Sequence, residues 1–363
     1  MGMASNALEK IVTDFVAQHI GYDKNACGIL TSGGTLANLT ALLAARRIKA
    51  SNDVWNEGHK EKLAIMVSEE AHYCIDRAAR IMGLGSSGII KIPVDDNFRI
   101  KTDVLEEYLQ KAKSNRIKVI AIVGCASSTA TGSYDDLDVI ASFAKKNDLW
   151  FHVDGAHGGA VVFSKKYQYL ANGIHKADSV VIDFHKLLMT PALNTALIFK
   201  RSSDNYKVFE QKAQYLWDSQ STEEWYNSGK RTFECTKLMM SIKVYSILKA
   251  HGTDIFEKNV DRLYDMGVSF SAMIKERSDF ELAIQPQANI VNFRYVGNKE
   301  VGKGYNQIND DIRQQLLEEG KFYIVKTTIG TKRYLRVSIM NPMTTERDCG
   351  ELLDEIEKIG GNV

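Results

Sequence analysis

Short apolar segments alternate with amphipathic ones up to about residue 200 of the chain. This alternation predicts strands joined by helices, and therefore an α/β fold with a mostly parallel sheet covered on both faces. The predicted strands are Leu63–Val67, Gly88–Ile92, Ile117–Val123, Leu149–Val153, Ser179–Ile182 and Thr195–Phe199. The predicted helices are Leu36–Lys49, Ile75–Met82, Thr102–Ala112 and Leu137–Lys146. In such sheets, ligands bind beyond the carboxyl ends of the strands.

The rest of the chain has a different pattern. A polar segment at about 211–230 contains scattered aromatic residues without periodicity, which predicts a long functional loop. The helices predicted after it are Cys235–Lys249, Ile255–Lys275, Tyr305–Glu318 and Thr345–Ile359. The strands predicted after it are Phe280–Ile284, Ile290–Tyr295, Tyr323–Lys326 and Tyr334–Ser338. We therefore predict a large domain at 1–250, which begins with a short helix, and a small α+β domain at 251–363.

Composition argues against several classes of function. The chain has 46 basic and 45 acidic side chains, so it has no basic field for nucleic acid or an anionic membrane. No apolar run approaches the ~20 residues of a membrane span, and the first ten residues lack the pattern of a signal peptide. The five cysteines lie far apart, which predicts reduced thiols and no structural metal. We therefore expect a cytoplasmic enzyme.

The segment at 31–38 contains two adjacent glycines and opens the helix predicted after it. Gly33 and Gly34 allow the backbone to approach a ligand closely, and the first-turn N–H groups of the helix favour an anion such as phosphate. A plain helix entry capped by Ser32 or Thr35 would explain the same residues.

Two further segments place ionisable side chains just after apolar strands. Asp154 can pair with a pyridine nitrogen and keep it protonated, although an Asx-turn or a helix N-cap would also use an aspartate here. Lys186 follows the next strand in a His-Lys pair, where burial makes a lysine a candidate Schiff-base nucleophile. A lone lysine would more often be structural or exposed. Together with the glycine segment, these residues predict a pyridoxal 5′-phosphate (PLP) site.

The same motifs carry a family resemblance over nearly the whole chain. They are Ser32-Gly33-Gly34-Thr35-x-Ala37-Asn38, Ser68-Glu69-x-Ala71-His72-Tyr73, His152-Val153-Asp154-x-Ala156-x-Gly158-Gly159 and Ala177-Asp178-Ser179-x(5)-His185-Lys186. In these motifs the chain resembles the group II PLP-dependent amino-acid decarboxylases. The resemblance implies PLP fold type I, which is aspartate aminotransferase-like, with a seven-stranded sheet and a homodimer that has its sites at the interface.

The resemblance also assigns roles to individual residues. It implies that Lys186 forms the Schiff base, Asp154 pairs with the ring nitrogen and His72 stacks on the pyridine face. By itself, His72 would be interpreted as a core histidine. The cofactor-binding residues that the resemblance implies are Gly34, Thr35, His72, Ser128, Asp154, Ala156, His185 and Lys186.

Two further positions are similar to the glutamate decarboxylase branch. Tyr215 lies in the irregular segment and resembles the catalytic-loop tyrosine that protonates the reacting carbon. Arg336 resembles the arginine that binds the substrate α-carboxylate, for which two parallel charge-assisted hydrogen bonds suit it. The alternative for Tyr215 is a packed or interfacial aromatic residue, and the alternative for Arg336 is a charge on the surface of a strand. The resemblance therefore implies decarboxylation of an L-amino acid, with an acidic one such as glutamate favoured.

The chain departs from the family pattern at several places. Gly155 replaces an alanine, Ser127 replaces a glycine, Cys74 stands where serine is usual and Asn194 where many members have cysteine. Members usually have a longer segment before the position of Ser5, which contributes to the dimer and the substrate pocket. We therefore expect one of three situations: another chain supplies this segment, the site is more open, or the protein is a truncated or specialised member of the family. The alternative functions are an aminotransferase, a lyase, an aldehyde synthase or an inactive homologue that acts as a partner protein.

Overall fold

The computed structural model describes residues 2–210, 224–297 and 304–362. The chain forms two compact units, the first containing Met1–Ser128 and Tyr134–Lys258 and the second Thr129–Ser133 and Asn259–Val363. The domain boundary at residue 250 stays a prediction.

The first unit contains a seven-stranded sheet with the strand order β1-β7-β6-β5-β4-β2-β3. Its strands are β1 (Cys27–Thr31), β2 (Lys62–Ser68), β3 (Ile89–Ile92), β4 (Ile117–Cys125), β5 (Trp150–Asp154), β6 (Ser179–Asp183) and β7 (Thr195–Phe199). The ladders from β3 to β6 are parallel, and β7 is antiparallel to both β6 and β1. The predicted mostly parallel sheet is therefore confirmed.

The helices of the first unit pack either on this sheet or on the helices that cover it. They are α1 (Met3–Ile20), α2 (Gly34–Lys49), α3 (Val54–Glu57), α4 (Tyr73–Ile81), α5 (Leu105–Ser114), α6 (Leu137–Lys146), α7 (Ser202–Val208) and α8 (Ser241–His251). In α2, Ala37, Ala41 and Ala45 follow one another at a spacing of four residues and are fully buried. Their small side chains let the helix lie close to the sheet. No helix in the described ranges has both the length and the apolar character needed to cross a membrane.

The structure differs from the predicted elements at several ends, such as the strand predicted at Tyr323–Lys326, which spans Val325–Ile329. Three differences are larger. The seventh strand, β1, is a run of only five residues with a glycine, and its sequence gave no clear strand pattern. The first helix, α1, has 18 residues and is longer than predicted. Helix α8 begins at Ser241 instead of Cys235, because Lys237 is drawn away into contacts with α1 and β1.

The second unit contains a four-stranded antiparallel sheet with the order β10-β11-β9-β8. The strands are β8 (Phe280–Leu282), β9 (Ile290–Tyr295), β10 (Val325–Ile329) and β11 (Lys332–Ser338). The remaining helices of the chain are α9 (Ile255–Lys275), α10 (Tyr305–Glu319) and α11 (Glu346–Gly360). These elements agree with the α+β pattern predicted for the end of the chain.

A buried ion pair fastens α1 to the sheet of the first unit. Glu9 and Lys237 form a salt bridge in which their side chains are only 8% and 10% exposed. The Leu30 N–H in β1 donates to Glu9 Oε1 at 3.0 Å, and Lys237 Nζ donates to the Leu30 carbonyl at 2.8 Å. Burial lowers the pKa of Lys237, and the Glu9 carboxylate opposes this shift. Each charged side chain is therefore stabilised in its buried position by the other.

We expect Glu9→Ala to destabilise the protein by about 3–5 kcal/mol, because it leaves the Lys237 ammonium buried without its partner. Lys10→Ala is the matched control, since Lys10 pairs with Asp14 on the exposed side of the same helix. Its cost should stay below about 1 kcal/mol. Denaturant-induced unfolding followed by circular dichroism measures both, and equal effects of the two substitutions would contradict the role of the pair.

Candidate active site

The centre of the candidate site is Lys186, three residues beyond the carboxyl end of β6. Its Nζ lies 2.9 Å from Asp183 Oδ2. The Asp183 side chain is 2% exposed, whereas that of Lys186 is 34% exposed. The amine is therefore held by a buried carboxylate and remains accessible to a ligand.

Asp183 was not among the predicted site residues, although it contacts several of them. Its Oδ1 accepts a hydrogen bond from the Thr195 hydroxyl, and its Oδ2 lies 3.7 Å from His185 Nε2. Its backbone N–H donates to the Ala156 carbonyl at 3.1 Å. The available signal was an acidic residue at the end of an apolar strand, three positions before the lysine. Because a buried carboxylate needs partners, that spacing indicates an ion pair.

Asp154 ends β5 at the same edge of the sheet and is 8% exposed. Its Oδ1 accepts a hydrogen bond from the Ala156 N–H at 3.2 Å, as an Asx-turn would. The turn therefore holds the carboxylate in place, and its pairing with a ring nitrogen stays a prediction.

His72 stands at the start of α4, where its Nδ1 accepts a hydrogen bond from the Cys74 N–H at 3.3 Å. Burial is the main cause that lowers the pKa of His72; the charge of Asp154 opposes the shift and that of Lys186 reinforces it. These charges act on His72 because the structure brings the three predicted residues into one cluster. A lowered pKa leaves the imidazole uncharged at neutral pH.

The start of α2 borders the same cluster. Gly33 precedes the helix with φ of 140°, and a side chain added there would meet no atom within 4 Å. A Cβ added at Gly34 would lie 3.4 Å from the Ala156 Cβ and 3.4 Å from Asp183 Oδ1. Thr35 is exposed. An open space therefore lies in front of the first-turn N–H groups, where an anion is favoured.

The loop after β4 adds hydroxyl groups. Ser128, a predicted cofactor-binding residue, is 3% exposed. The Ser127 hydroxyl is buried and has no hydrogen-bond partner among the described residues. Sequence reasoning treated Ser127 only as a departure from the family pattern. A buried hydroxyl without a partner is costly, so it indicates a group that binds there.

His185 is fixed by the loop that leads into β7. Its Nδ1 lies 2.9 Å from the Asn194 carbonyl oxygen and 3.1 Å from the Asn194 N–H nitrogen. Its Nε2 is the nitrogen that faces Asp183. The predicted contact of His185 with a phosphate stays a prediction.

Gly155 is required by a close approach of the backbone. A Cβ at this position would lie 2.8 Å from the Val181 carbonyl oxygen and 3.0 Å from the Gly159 Cα. The alanine that is usual in the family would therefore force the backbone of this chain to shift. The departure is larger than the sequence alone suggested.

These residues fit PLP. An accessible amine at Lys186, a carboxylate at Asp154, the free space before α2 and the unpartnered Ser127 hydroxyl are the groups that its aldehyde, ring nitrogen and phosphate require. No group of three or more His, Cys, Asp or Glu side chains in the described part of the chain could hold a metal ion.

Arg336 belongs to the second unit and lies in β11. Its Nε is buried without a hydrogen-bond partner among the described residues, and burial lowers the pKa of the guanidinium. Asn292 stands directly opposite in β9, and Ser338 follows two residues later on the same face. The Asn292 Oδ1 and Ser338 Oγ atoms are also buried without partners in the described ranges. A guanidinium with an unsatisfied donor is suited to a carboxylate. Tyr215 lies outside the described residues.

Comparison with known proteins gives a consistent result. The pyridoxal-dependent decarboxylase conserved domain matches residues 4–296. An aspartate 1-decarboxylase of Aliivibrio fischeri is 31% identical, with 93% of this chain and 67% of that protein covered. An acidic amino acid decarboxylase of Xenopus tropicalis is 28% identical, with 97% and 71% covered. An aromatic-L-amino-acid decarboxylase of Bacillus atrophaeus is 26% identical, with 100% and 75% covered. The crystal structure of mouse CSAD in apo form has a TM-score of 0.91 at 26% identity and covers 98% of this chain and 76% of that chain.

Proposed function

Because the chain belongs to the pyridoxal-dependent decarboxylase family, we propose that it decarboxylates an acidic L-amino acid such as glutamate or aspartate. The observation that carries the proposal is the Lys186 amine, accessible and 2.9 Å from buried Asp183, in one cluster with Asp154 and His72. PLP supplies an electron sink for the bond that breaks at the substrate Cα.

The residues of the chain would hold this cofactor by complementary interactions. Lys186 provides the amine for covalent attachment, and Asp154 favours a protonated ring nitrogen because the opposite charge stabilises the cation. His72, uncharged at neutral pH, offers a flat ring without a second positive charge. The first turn of α2 and the Ser127 and Ser128 hydroxyls would hold the phosphate.

The acidic substrate is supported by the names of two relatives, whereas Arg336 supports the binding of an α-carboxylate, which every amino-acid substrate has. The relatives at 31% and 28% identity are named for aspartate and for acidic amino acids. In this chain, the Arg336 Nε is a buried donor without a partner among the described residues, which suits the binding of the substrate α-carboxylate. An arginine held in this way favours the orientation in which the bond to that carboxylate breaks.

We expect purified protein with PLP to release carbon dioxide from glutamate or aspartate, in a screen of the twenty amino acids with cysteine sulfinate and diaminobutyrate. Lys186→Ala should abolish both this release and the covalent PLP label that borohydride fixes. Lys176→Ala is the control, because Lys176 pairs with Asp138 on the surface. Release from an aromatic substrate alone would contradict the acidic preference. Keto acid without carbon dioxide would contradict decarboxylation, and carbon dioxide with aldehyde in place of amine would contradict simple decarboxylation.

We propose that Tyr215 donates the proton that completes the amine. Tyr215→Phe should lower the rate of amine formation ~10²–10⁴-fold, the usual contribution of a general acid, and should divert product to aldehyde in air. Tyr169→Phe is the control, because Tyr169 is a 67% exposed tyrosine of the first unit that lies outside the stretch proposed below as an interface. Amine formation at the wild-type rate by Tyr215→Phe would exclude this role.

We also propose a homodimer with its sites at the interface. Within the stretch 225–242 of the first unit, large apolar side chains are exposed, and such patches are typical of protein interfaces. They are Trp225, Tyr226, Phe233, Leu238, Met239 and Ile242. Light scattering should give a dimer for the wild type and a shift towards monomer for Leu238→Glu, in which a 77% exposed leucine becomes charged. A monodisperse, active wild-type monomer would refute the proposal.

A further inference from the structure

A chain of five buried polar side chains crosses the first unit behind the candidate site, and none is more than 2% exposed. The Trp150 indole N–H donates to Ser179 Oγ at 2.9 Å, and Ser179 Oγ lies 2.8 Å from His152 Nδ1. His152 Nε2 lies 2.7 Å from Asn38 Oδ1, and the Asn38 amide donates to Cys74 Sγ at 3.4 Å.

The chemistry of the groups sets the direction of these hydrogen bonds. An indole N–H can only donate, so Ser179 Oγ accepts from Trp150 and its own hydrogen is available to His152 Nδ1. Nε2 then carries the imidazole proton and donates it to Asn38 Oδ1. With the proton on Nδ1 instead, that nitrogen could donate to the Ser179 carbonyl oxygen at 3.2 Å, but Nε2 and Asn38 Oδ1 would then face each other at 2.7 Å as two acceptors. The Nε2–H form therefore satisfies every donor from Trp150 to Asn38.

This hydrogen-bonded chain of side chains is uncharged at neutral pH. Burial lowers the pKa of His152 to about 4, although the carboxylate of Asp154 opposes the shift. At the other end, burial raises the pKa of Cys74 to about 12, so the thiol stays protonated. A neutral, directional chain avoids the cost of a buried ion while it still satisfies its polar groups.

Its members connect the four elements that carry the candidate site. Ser179 begins β6, which leads to Lys186, and His152 lies in β5 two residues before Asp154. Asn38 lies near the start of α2, where Gly33 borders open space. Cys74 lies in the first turn of α4, and its N–H donates to the His72 ring.

We propose that Asn38 and His152 are positioning residues, whose hydrogen bond fixes the starts of α2 and α4 against β5 and thereby sets the affinity for PLP. Cys74 completes the link, because its sulfur accepts the second Asn38 hydrogen bond beside His72. The helices and strands provide the site residues, and the hydrogen-bonded side chains fix the positions of these elements relative to one another.

The tautomer of His152 tests the direction of these hydrogen bonds without any substitution. In the full-length protein labelled with ¹⁵N-histidine, we expect His152 to give the signals of a neutral ring protonated at Nε2, unchanged between pH 6 and pH 8. Assignment follows from loss of these signals in His152→Gln. A ring protonated at Nδ1, or one that becomes cationic in this range, would overturn the proposal.

Substitutions test the link to the cofactor. Asn38→Leu removes both hydrogen bonds at similar volume, and we expect PLP binding to the apo-protein to weaken about tenfold, with a changed absorbance spectrum of bound PLP. Thr40→Val is the matched control: Thr40 is 1% exposed in the same helix, and its hydroxyl bonds only to the Leu36 carbonyl within α2. It should lower the melting temperature and leave PLP affinity within about twofold. Equal PLP affinities for the two variants would overturn the proposal.

Cys74 gives a second, milder pair of variants in case Asn38→Leu does not fold. Cys74→Ala removes the acceptor of the Asn38 amide, whereas Cys74→Ser retains one. We expect Cys74→Ala to bind PLP several-fold more weakly than the wild type and Cys74→Ser to restore the affinity. If alanine and serine at this position give the same affinity and spectrum, the link through Asn38 does not position the site.

Discussion

Hydrogen bonds between the parallel strands β5 and β6 set Asp154 opposite Val181, two residues before Asp183. Both carboxylates therefore lie at the carboxyl-end edge of the sheet. A buried carboxylate without a partner there would have a large cost of desolvation. Asp183 meets this cost through Lys186, and the Asp154 carboxylate is held by the turn that follows it. Lys186 thus takes part in stabilising the fold as well as in the proposed chemistry.

The sequence predicted the parts of this arrangement that depend on local pattern. The apolar strands from β2 to β7 and the helices between them follow from periodicity, because a covered parallel sheet requires continuous apolar runs. The motifs around Asp154 and Lys186 predicted a PLP site because each lies at the end of such a strand. The family and its cofactor were predicted from the same motifs, and the match over residues 4–296 confirms both.

Features that depend on contacts between distant segments were not predictable in this way. The contacts of Asp183 with Gly34 and Thr195 come from other segments, although its position three residues before Lys186 indicated the ion pair. The requirement for Gly155 comes from the neighbouring strand, and the direction of the chain through His152 comes from four separate elements. In each case the deciding atom belongs to a part of the sequence far from the residue concerned.

The distance along the chain between α1 and its partners has a consequence for synthesis. Glu9 pairs with a residue 228 positions later, and β1 pairs only with β7, Cys27 lying opposite Phe199. Since synthesis proceeds from the N-terminus, α1 and β1 lack these contacts until Phe199 and Lys237 have been added to the chain. Non-local pairing of this kind slows folding and leaves apolar surface and an unpaired strand edge exposed in the interval. In the nascent chain, α1 and β1 are therefore segments that depend on protection by chaperones.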